Sequence, residues 1–288
     1  MLVFLQMMLL DAIKSYEDNQ CFFISEDRNH LIVRDDKSQE IPSFINRYFE
    51  PIGLNKTDPI VMKAEKEGRL GELTWKDGWE SIDTRRTEGT INSIPALHYF
   101  DFSGRYLKQI MLQRIWRPLP HIRHHACSTL ESHGLSDDFM VWSIRRGDKT
   151  IEGFEYTELQ KYFEATDRAI ARHFDHKAPL IFIATDDCSV IPGIRKMSPE
   201  WTFVSQCDRG HSDAKGFVLR DMKKWDIATT DAHYMKFFVE LFALATAKYY
   251  IGVAYTNVAW WAYFMRPNRW SFELVDQERP TQDVVRMW

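Results

Sequence analysis

Short apolar runs alternate with longer amphipathic stretches in the second half of the chain. FMVWSI, IFIAT, WTFVSQ and the start of YYIGVAYTNVAWWAYFM are apolar runs of strand length. YTELQKYFEATDRAIARHF and AHYMKFFVELFALATAK lie between them and carry apolar residues at helical spacing. This alternation predicts an α/β fold in which a parallel sheet is covered by helices on both faces.

The pattern of the first half is less regular. Residues 2–16 and 106–116 show helical spacing, and residues 21–25 form a short apolar run that predicts a strand. A histidine-rich connector with a glycine lies between positions 121 and 137. We therefore expect two domains, 1–135 and 136–288.

Charged and polar groups follow the apolar runs directly. RRGDK comes after the first predicted strand of the sheet, TDD after the second and AYTN after the last. Ligands of open α/β sheets bind at the carboxyl ends of the strands. The sequence therefore predicts a binding site built from these three groups.

Arg145 and Arg146 suit a phosphate ligand, because a guanidinium donates two parallel hydrogen bonds and keeps its charge. Successive strand residues point to opposite faces, so one arginine is expected to reach the ligand while the other is held by protein groups. The alternative is a surface ion-pair cluster with Asp148 and Glu152. Neither interpretation is excluded by the sequence.

The other polar groups also allow two interpretations each. Asp186 and Asp187 suit a ribose diol, a metal ion or a helix cap. Glu240, in an apolar helix, suits either the N–H donors of a purine or a basic partner in the core. Thr256 and Asn257 precede a helix, where they suit a phosphate, a plain cap or both.

Composition narrows the function classes. The 288-residue chain is 44% hydrophobic and 27% charged, with a net charge of −4, and it has no long basic run. A globular protein without a nucleic-acid partner is expected. The apolar opening MLVFLQMMLL is too short to span a bilayer. The four cysteines are scattered, which predicts free thiols in a reducing compartment.

Three segments together resemble a known family. SIRRGDK, IFIATDD and FFVELFALATAKYYIGVAYTN are similar, in order and spacing, to the motif regions of the α-1,6/α-1,2/protein-O-fucosyltransferase superfamily, over residues 138–266. The resemblance implies a GT-B glycosyltransferase with two Rossmann-like domains facing across a cleft. It also implies inversion at the transferred sugar, a GDP-linked donor and no essential metal or other cofactor.

The resemblance assigns roles to the polar groups. Arg145 is expected to contact the β-phosphate of the donor, and Arg146 to support the loop. The acidic pair is expected near the nucleotide, Glu240 stands for an aspartate that reads guanine, and Thr256 with Asn257 stands for a serine–glutamine pair at the phosphates. Ser143 departs from the family, which often has a nucleotide-contacting histidine there.

The catalytic base is less well defined by the motifs. The α-1,6 enzyme has a glutamate shortly after the lysine of the first motif, and Gly153 occupies the matching position here. Asp148 and Glu152 are the candidates instead, with Lys149 adjusting the pKa of its neighbour.

The expected partners are a nucleotide-sugar donor and a glycan acceptor. Family members of the Golgi carry a membrane anchor, and this sequence shows none. A cytoplasmic microbial or viral enzyme is therefore expected rather than a trimmed lumenal domain. The alternatives are another donor, such as UDP-xylose or GDP-rhamnose, and a binding protein that has lost catalysis.

Overall fold

The computed structural model describes residues 44–51, 54, 57–69, 105–136, 138–147, 155–175, 177–209 and 225–276. The chain divides into two compact units, 1–119 with residue 288 and 120–287. This division precedes the histidine-rich segment, and the predicted domain boundary at position 135 stays a prediction.

The second unit contains a five-stranded, fully parallel sheet. Its strands are β1 (Phe139–Ile144), β2 (Leu180–Thr185), β3 (Phe203–Ser205), β4 (Tyr249–Gly252) and β5 (Phe272–Leu274). The spatial order is β3-β2-β1-β4-β5. The chain thus builds one side of the sheet from β1 outwards and then returns to add β4 on the other side of β1. This confirms the predicted α/β class and parallel sheet.

Helices cover both faces of the sheet. Those described in the second unit are α4 (Pro120–Ser132), α5 (Leu159–His173), α6 (Ile191–Met197), α7 (Ile227–Thr246) and α8 (Asn257–Met265). Residues of α5 and α6 share one buried cluster with β1 residues Met140, Trp142 and Ile144. Helix α7 packs on α4 and on the sheet, and its residues are absent from that cluster, so it covers the opposite face.

Trp142 organises the α5 side of the core. Its ring lies 5.0 Å from that of Phe163 and 5.5 Å from those of Tyr162 and Phe203. Its indole N–H donates to the Thr166 hydroxyl at 2.9 Å, so the buried polar atom of this large side chain has a partner. The strand and the helix are therefore joined by packing and by one buried hydrogen bond.

The last residue of β4, Gly252, is a glycine because Tyr250 leaves no room for a side chain there. A Cβ at position 252 would lie 2.1 Å from the Tyr250 hydroxyl. The Tyr250 ring stacks on Phe272 of β5, with centroids 4.5 Å apart and planes 6° from parallel. The glycine thus allows a large aromatic pair to fill the edge of the sheet.

The first unit is described only in part. Its described helices are α1 (Phe44–Tyr48), α2 (Pro59–Lys66) and α3 (Arg105–Ile115), and the last confirms the helix predicted over 106–116. Phe49 forms an isolated antiparallel bridge with Pro118. The predicted elements at 2–16 and 21–25 lie outside the described residues, and the Rossmann-like character of this unit stays a prediction.

Two expectations about the second unit need correction. The histidine-rich connector is helix α4, with Ile122, Ala126, Thr129 and Leu130 buried at helical spacing. The edge strand β5 was not predicted, because three residues are too few to show a period.

None of the helices in the described ranges is long and apolar enough to cross a bilayer.

Candidate functional site

The site lies where β1 and β4 adjoin. The chain leaves β1 towards β2 on one side, whereas β4 and β5 lie on the other side, so this is the point at which the strand order reverses. The crevice outside such a point is the usual ligand site of an open α/β sheet. Arg145 and Arg146 follow β1, and residues 253–256 follow β4.

Arg145 is held by the first acidic residue after β2. Its Nη1 lies 2.5 Å from Oδ2 of Asp186, and the two side chains are 20% and 9% exposed. The parallel pairing of β1 with β2, which ends at Ile144 and Thr185, places the two residues side by side. The predicted arginine and the predicted carboxylate thus meet through strand register.

Arg146 uses its backbone and side chain differently. Its N–H donates to Oδ1 of Asp186 at 2.9 Å, so one carboxylate binds both arginines. Its guanidinium lies 4.8 Å from the ring centroid of Tyr156 and 3.9 Å from Asp187 Oδ2. This cation therefore lies against the face of an aromatic ring, with the carboxylate of Asp187 at a longer distance.

Asp187 acts as a turn cap. Its Oδ1 accepts from the Ser189 N–H at 3.0 Å and from the Ser189 hydroxyl at 2.6 Å, and its own N–H donates to Thr185 Oγ1 at 3.1 Å. The cap interpretation thus holds for Asp187, whereas Asp186 pairs with an arginine. Their proximity to a nucleotide stays a prediction for both.

A disulfide joins the exits of β2 and β3. Cys188 and Cys207 are bonded, with Cα atoms 5.6 Å apart. The prediction of free thiols is therefore wrong at these two positions, because neighbouring strands bring together cysteines that are 19 residues apart. Cys127 is free and exposed on α4. The reducing compartment predicted from free thiols loses that support, and the cytoplasmic location stays a prediction.

The loop after β4 is fixed on several sides. The Ala254 N–H donates to both carboxylate oxygens of Asp276, at 2.8 and 2.9 Å, and the Ala254 carbonyl accepts from Trp260 Nε1 at 3.0 Å. Thr256 is the N-cap of α8, and its hydroxyl oxygen accepts from the Ala259 N–H at 3.1 Å. Asn257 is the first residue of that helix. The cap interpretation of Thr256 holds, and a phosphate role stays a prediction.

Tyr255 was not predicted as a site residue. Its hydroxyl lies 3.5 Å from the Arg145 carbonyl oxygen, so it connects the loops after β4 and β1. Burial raises its pKa, the Thr157 hydroxyl and Arg146 oppose that rise, and Asp276 and Asp186 add to it. Its position directly after a strand, within AYTN, was the available signal.

Ser143 is buried at 5% exposure near the end of β1. Its carbonyl accepts from the Tyr162 hydroxyl at 2.9 Å, which ties the strand end to α5. It stands on the opposite face from Trp142 and Ile144, since alternate strand residues share a face. Its predicted contact with a nucleotide is untested by this arrangement.

Glu240 lies on α7 and is 8% exposed, and Lys236 is buried at 7% one turn earlier. Helix α7 ends at Thr246, and β4 starts three residues later, so the helix runs back along the sheet. Glu240 is about 9 Å along the axis from that end. The predicted contact of Glu240 with a nucleotide base stays a prediction.

Three predicted catalytic residues, Asp148, Lys149 and Glu152, lie outside the described residues. Within the described ranges, no group of three histidine, cysteine or acidic residues is placed to hold a metal ion. His121, His124 and His125 are exposed on α4.

Solved structures share this fold. A crystal structure of NodZ α-1,6-fucosyltransferase soaked with GDP-fucose matches with a TM-score of 0.53 and 14% identity, over 96% of this chain and 91% of that chain. Fucosyltransferase NodZ from Bradyrhizobium matches with a TM-score of 0.51 and 12% identity, over 94% and 91%. POFUT1 in complex with GDP has a TM-score of 0.37 and 12% identity. That match covers 55% of this chain and 46% of the POFUT1 chain, which is too weak to carry an argument.

No protein-family model matches the chain, and neither does any curated protein. The NodZ structures are too distant in sequence to assign an activity, but they match nearly the whole chain. The parallel sheet of the second unit belongs to that same architecture. The chain therefore has a fucosyltransferase-like GT-B fold.

Proposed function

We propose that the protein is a metal-independent, inverting glycosyltransferase that moves one sugar, by default fucose from GDP-fucose, to a glycan hydroxyl. The observation that carries the proposal is the position of Arg145, at the carboxyl end of β1 where the strand order reverses. The same fold occurs in a structure soaked with GDP-fucose.

The donor diphosphate would lie against the loops after β1 and β4. A guanidinium binds phosphate and carboxylate with the same planar fork, so a diphosphate oxygen can take the place of Asp186 on Arg145. Arg146 would hold the loop through Asp186 and Tyr156. The N–H groups at the start of α8, next to Thr256 and Asn257, would face the phosphates.

The reaction is a single displacement at the anomeric carbon. The acceptor oxygen forms a bond to that carbon from the face opposite the diphosphate, and the carbon–oxygen bond to the diphosphate breaks with its electron pair. A carboxylate of Asp148 or Glu152 takes the acceptor proton, and Lys149 adjusts the pKa of its neighbour. Arg145 neutralises the charge that develops on the leaving diphosphate, so no metal ion is required for that step.

The donor is open to two alternatives. Ser143 and Glu240 stand where the resembling family has histidine and aspartate, and both positions are expected to contact the nucleotide. Glutamate reaches one carbon further than aspartate, which changes the fit of a base. UDP-xylose and GDP-rhamnose are therefore the alternative donors.

A panel of nucleotides and labelled donors tests the proposal. We expect GDP to raise the melting temperature more than UDP does, because GDP is the nucleotide of the proposed default donor. A ligand that binds the folded state stabilises it by mass action. Labelled GDP-fucose, GDP-rhamnose and UDP-xylose are then offered with glycan acceptors. A protein that is stabilised by none of these nucleotides would exclude a nucleotide-sugar enzyme.

A non-catalytic binding protein is the second candidate, since Gly153 occupies the position of a family glutamate. Binding of a donor without transfer or hydrolysis in the same panel would favour it. The base is identified by comparing Asp148→Asn with Glu152→Gln. The variant that keeps donor affinity and loses transfer by more than about 10²-fold has lost the base.

A further inference from the structure

Two residues outside the predicted site connect three strand ends at the proposed diphosphate position. Asp276 follows β5, and Tyr255 follows β4. Asp276 binds the backbone of the β4 loop, and Tyr255 reaches from that loop to the β1 loop. The connection leads from the edge strand to Arg145.

Asp276 makes the stronger of these contacts. Both of its carboxylate oxygens lie within 2.9 Å of the Ala254 nitrogen. A hydrogen bond to an ionised acceptor is about twice as strong as one between neutral groups. The Ala254 carbonyl is held separately by Trp260 of α8 at 3.0 Å. The backbone at Ala254 is therefore fixed through its donor and through its acceptor.

Tyr255 connects this fixed backbone to the backbone of Arg145. It is the next residue after Ala254, and its hydroxyl lies 3.5 Å from the Arg145 carbonyl oxygen. A rotation of the peptide at Ala254 would carry the hydroxyl out of reach of that oxygen. The same rotation would move Thr256, whose hydroxyl caps α8.

We propose that Asp276 is a positioning residue for donor binding, acting through Ala254 and Tyr255 on Arg145 and on the start of α8. The inference rests on the proposed function, because it requires that a nucleoside diphosphate binds at these two loops. Asp276 itself is assigned no contact with the donor.

GDP and UDP binding to the full-length chain, measured by calorimetry, tests the proposal. Asp276→Ala is expected to weaken binding of the preferred nucleotide about 10-fold, since the loss of one charged hydrogen bond is of that size. Asp276→Asn is expected to recover most of the affinity, because its amide oxygen still accepts from Ala254. Tyr255→Phe is expected to weaken binding about threefold, as for one weak neutral hydrogen bond.

Matched controls separate positioning from general stability. Asp138→Ala removes an aspartate that pairs with Lys248 at 2.7 Å beside the start of β1, and Tyr249→Phe removes a hydroxyl that donates to Glu273 at 3.1 Å. Both changes lie at the start of a strand and are expected to leave nucleotide affinity unchanged. A purely structural Asp276 would lower the melting temperature of the alanine variant without changing its affinity.

The outcomes are distinguishable from failure of the proposed function. Unchanged affinity in Asp276→Ala, with a wild-type protein that binds GDP or UDP, overturns the positioning role alone. A wild-type protein that binds neither nucleotide overturns the proposed function and this inference together. If Asp276→Ala does not fold, Tyr255→Phe decides, and unchanged affinity in that variant overturns the inference.

Discussion

The two edges of the sheet use arginine in opposite ways. At the carboxyl edge, Arg145 is 20% exposed and pairs with the carboxylate of Asp186. At the amino edge, Arg266 is 2% exposed, and it donates to the carbonyls of Leu244, Ala247 and Lys248 at 2.6 to 3.1 Å. One cation faces an anion beside solvent, whereas the other is enclosed by backbone oxygens.

The difference supports Arg145, rather than Arg266, as the arginine for the proposed donor. The carbonyls around Arg266 lie in the last turn of α7 and in the two residues after it, where the helix dipole favours a positive charge and no ligand can replace the oxygens. Burial lowers the pKa of Arg266 to about 10, which still leaves it protonated at neutral pH. The partner of Arg145, by contrast, is a side-chain carboxylate, which the donor diphosphate would replace under the proposed function. The amino edge holds the fold together, and the carboxyl edge is suited to binding.

The largest expected effect is on stability at the amino edge. Arg266→Ala leaves several buried carbonyl oxygens without their donor and is expected to lower the free energy of unfolding by about 3–5 kcal/mol. Urea denaturation measures this loss. Arg168→Ala is the control, because its side chain is 47% exposed beside Glu273 and is expected to matter by about 1 kcal/mol or less. Equal losses in the two variants would contradict the distinction.

Arg145→Ala is expected to affect activity instead. Turnover of the preferred donor should fall by about 10²–10³-fold, as when a donor that stabilises a transition state is removed. Initial rates with labelled donor measure this change, and Arg145→Lys separates charge from fork geometry. Turnover near that of the wild type would show that Arg145 does not bind the leaving diphosphate.

The disulfide sharpens the comparison within the carboxyl edge. Replacing Cys188 and Cys207 by serine is expected to cost about 3 kcal/mol of unfolding free energy, the value for a closed loop of this size. Denaturant unfolding measures the loss, and Cys127→Ser on α4 serves as the control. Peptide mapping without reductant tests the bond directly, and free thiols at both positions would refute it.

The smallest effect concerns His173, whose ring lies 4.8 Å from that of Tyr249 at the amino edge. Burial, Arg172 and Lys248 lower the pKa of His173 below 6.5, and Glu273 partly offsets this by raising it. The unfolded chain therefore binds more protons below pH 6.5, and stability falls as the pH drops through that region. His173→Phe is expected to flatten this fall in melting temperature. An unchanged pH dependence would show that His173 does not contribute.

Much of the fold was predictable because its elements are long or strongly patterned. Strand β1 is one continuous apolar run, and helix α7 carries apolar residues at helical spacing within its own sequence. Helix α4 also carries the period, but its histidines suggested a connector. Strand β5 has only three residues, and its pairing with β4 decides that it is a strand.

The site was predictable only where local order was enough. Arg145 and Asp186 follow neighbouring strands, so their meeting could be inferred from the order of the elements. The Cys188–Cys207 bond and the contact of Asp276 with Ala254 join segments that are 19 and 22 residues apart. No local pattern indicates which two of the four cysteines are bonded. Nor does a local pattern indicate which of the many carboxylates binds the Ala254 N–H.

The sequence by itself determined the parallel α/β architecture and the edge at which the polar groups gather. Both follow from the alternation of apolar and amphipathic segments, which is a local property of the chain. Only the tertiary structure decided that Asp187 caps a turn, that Asp186 binds both arginines and that Tyr255 reaches Arg145. Those contacts depend on strand register and loop course, which arise when distant segments pack against one another.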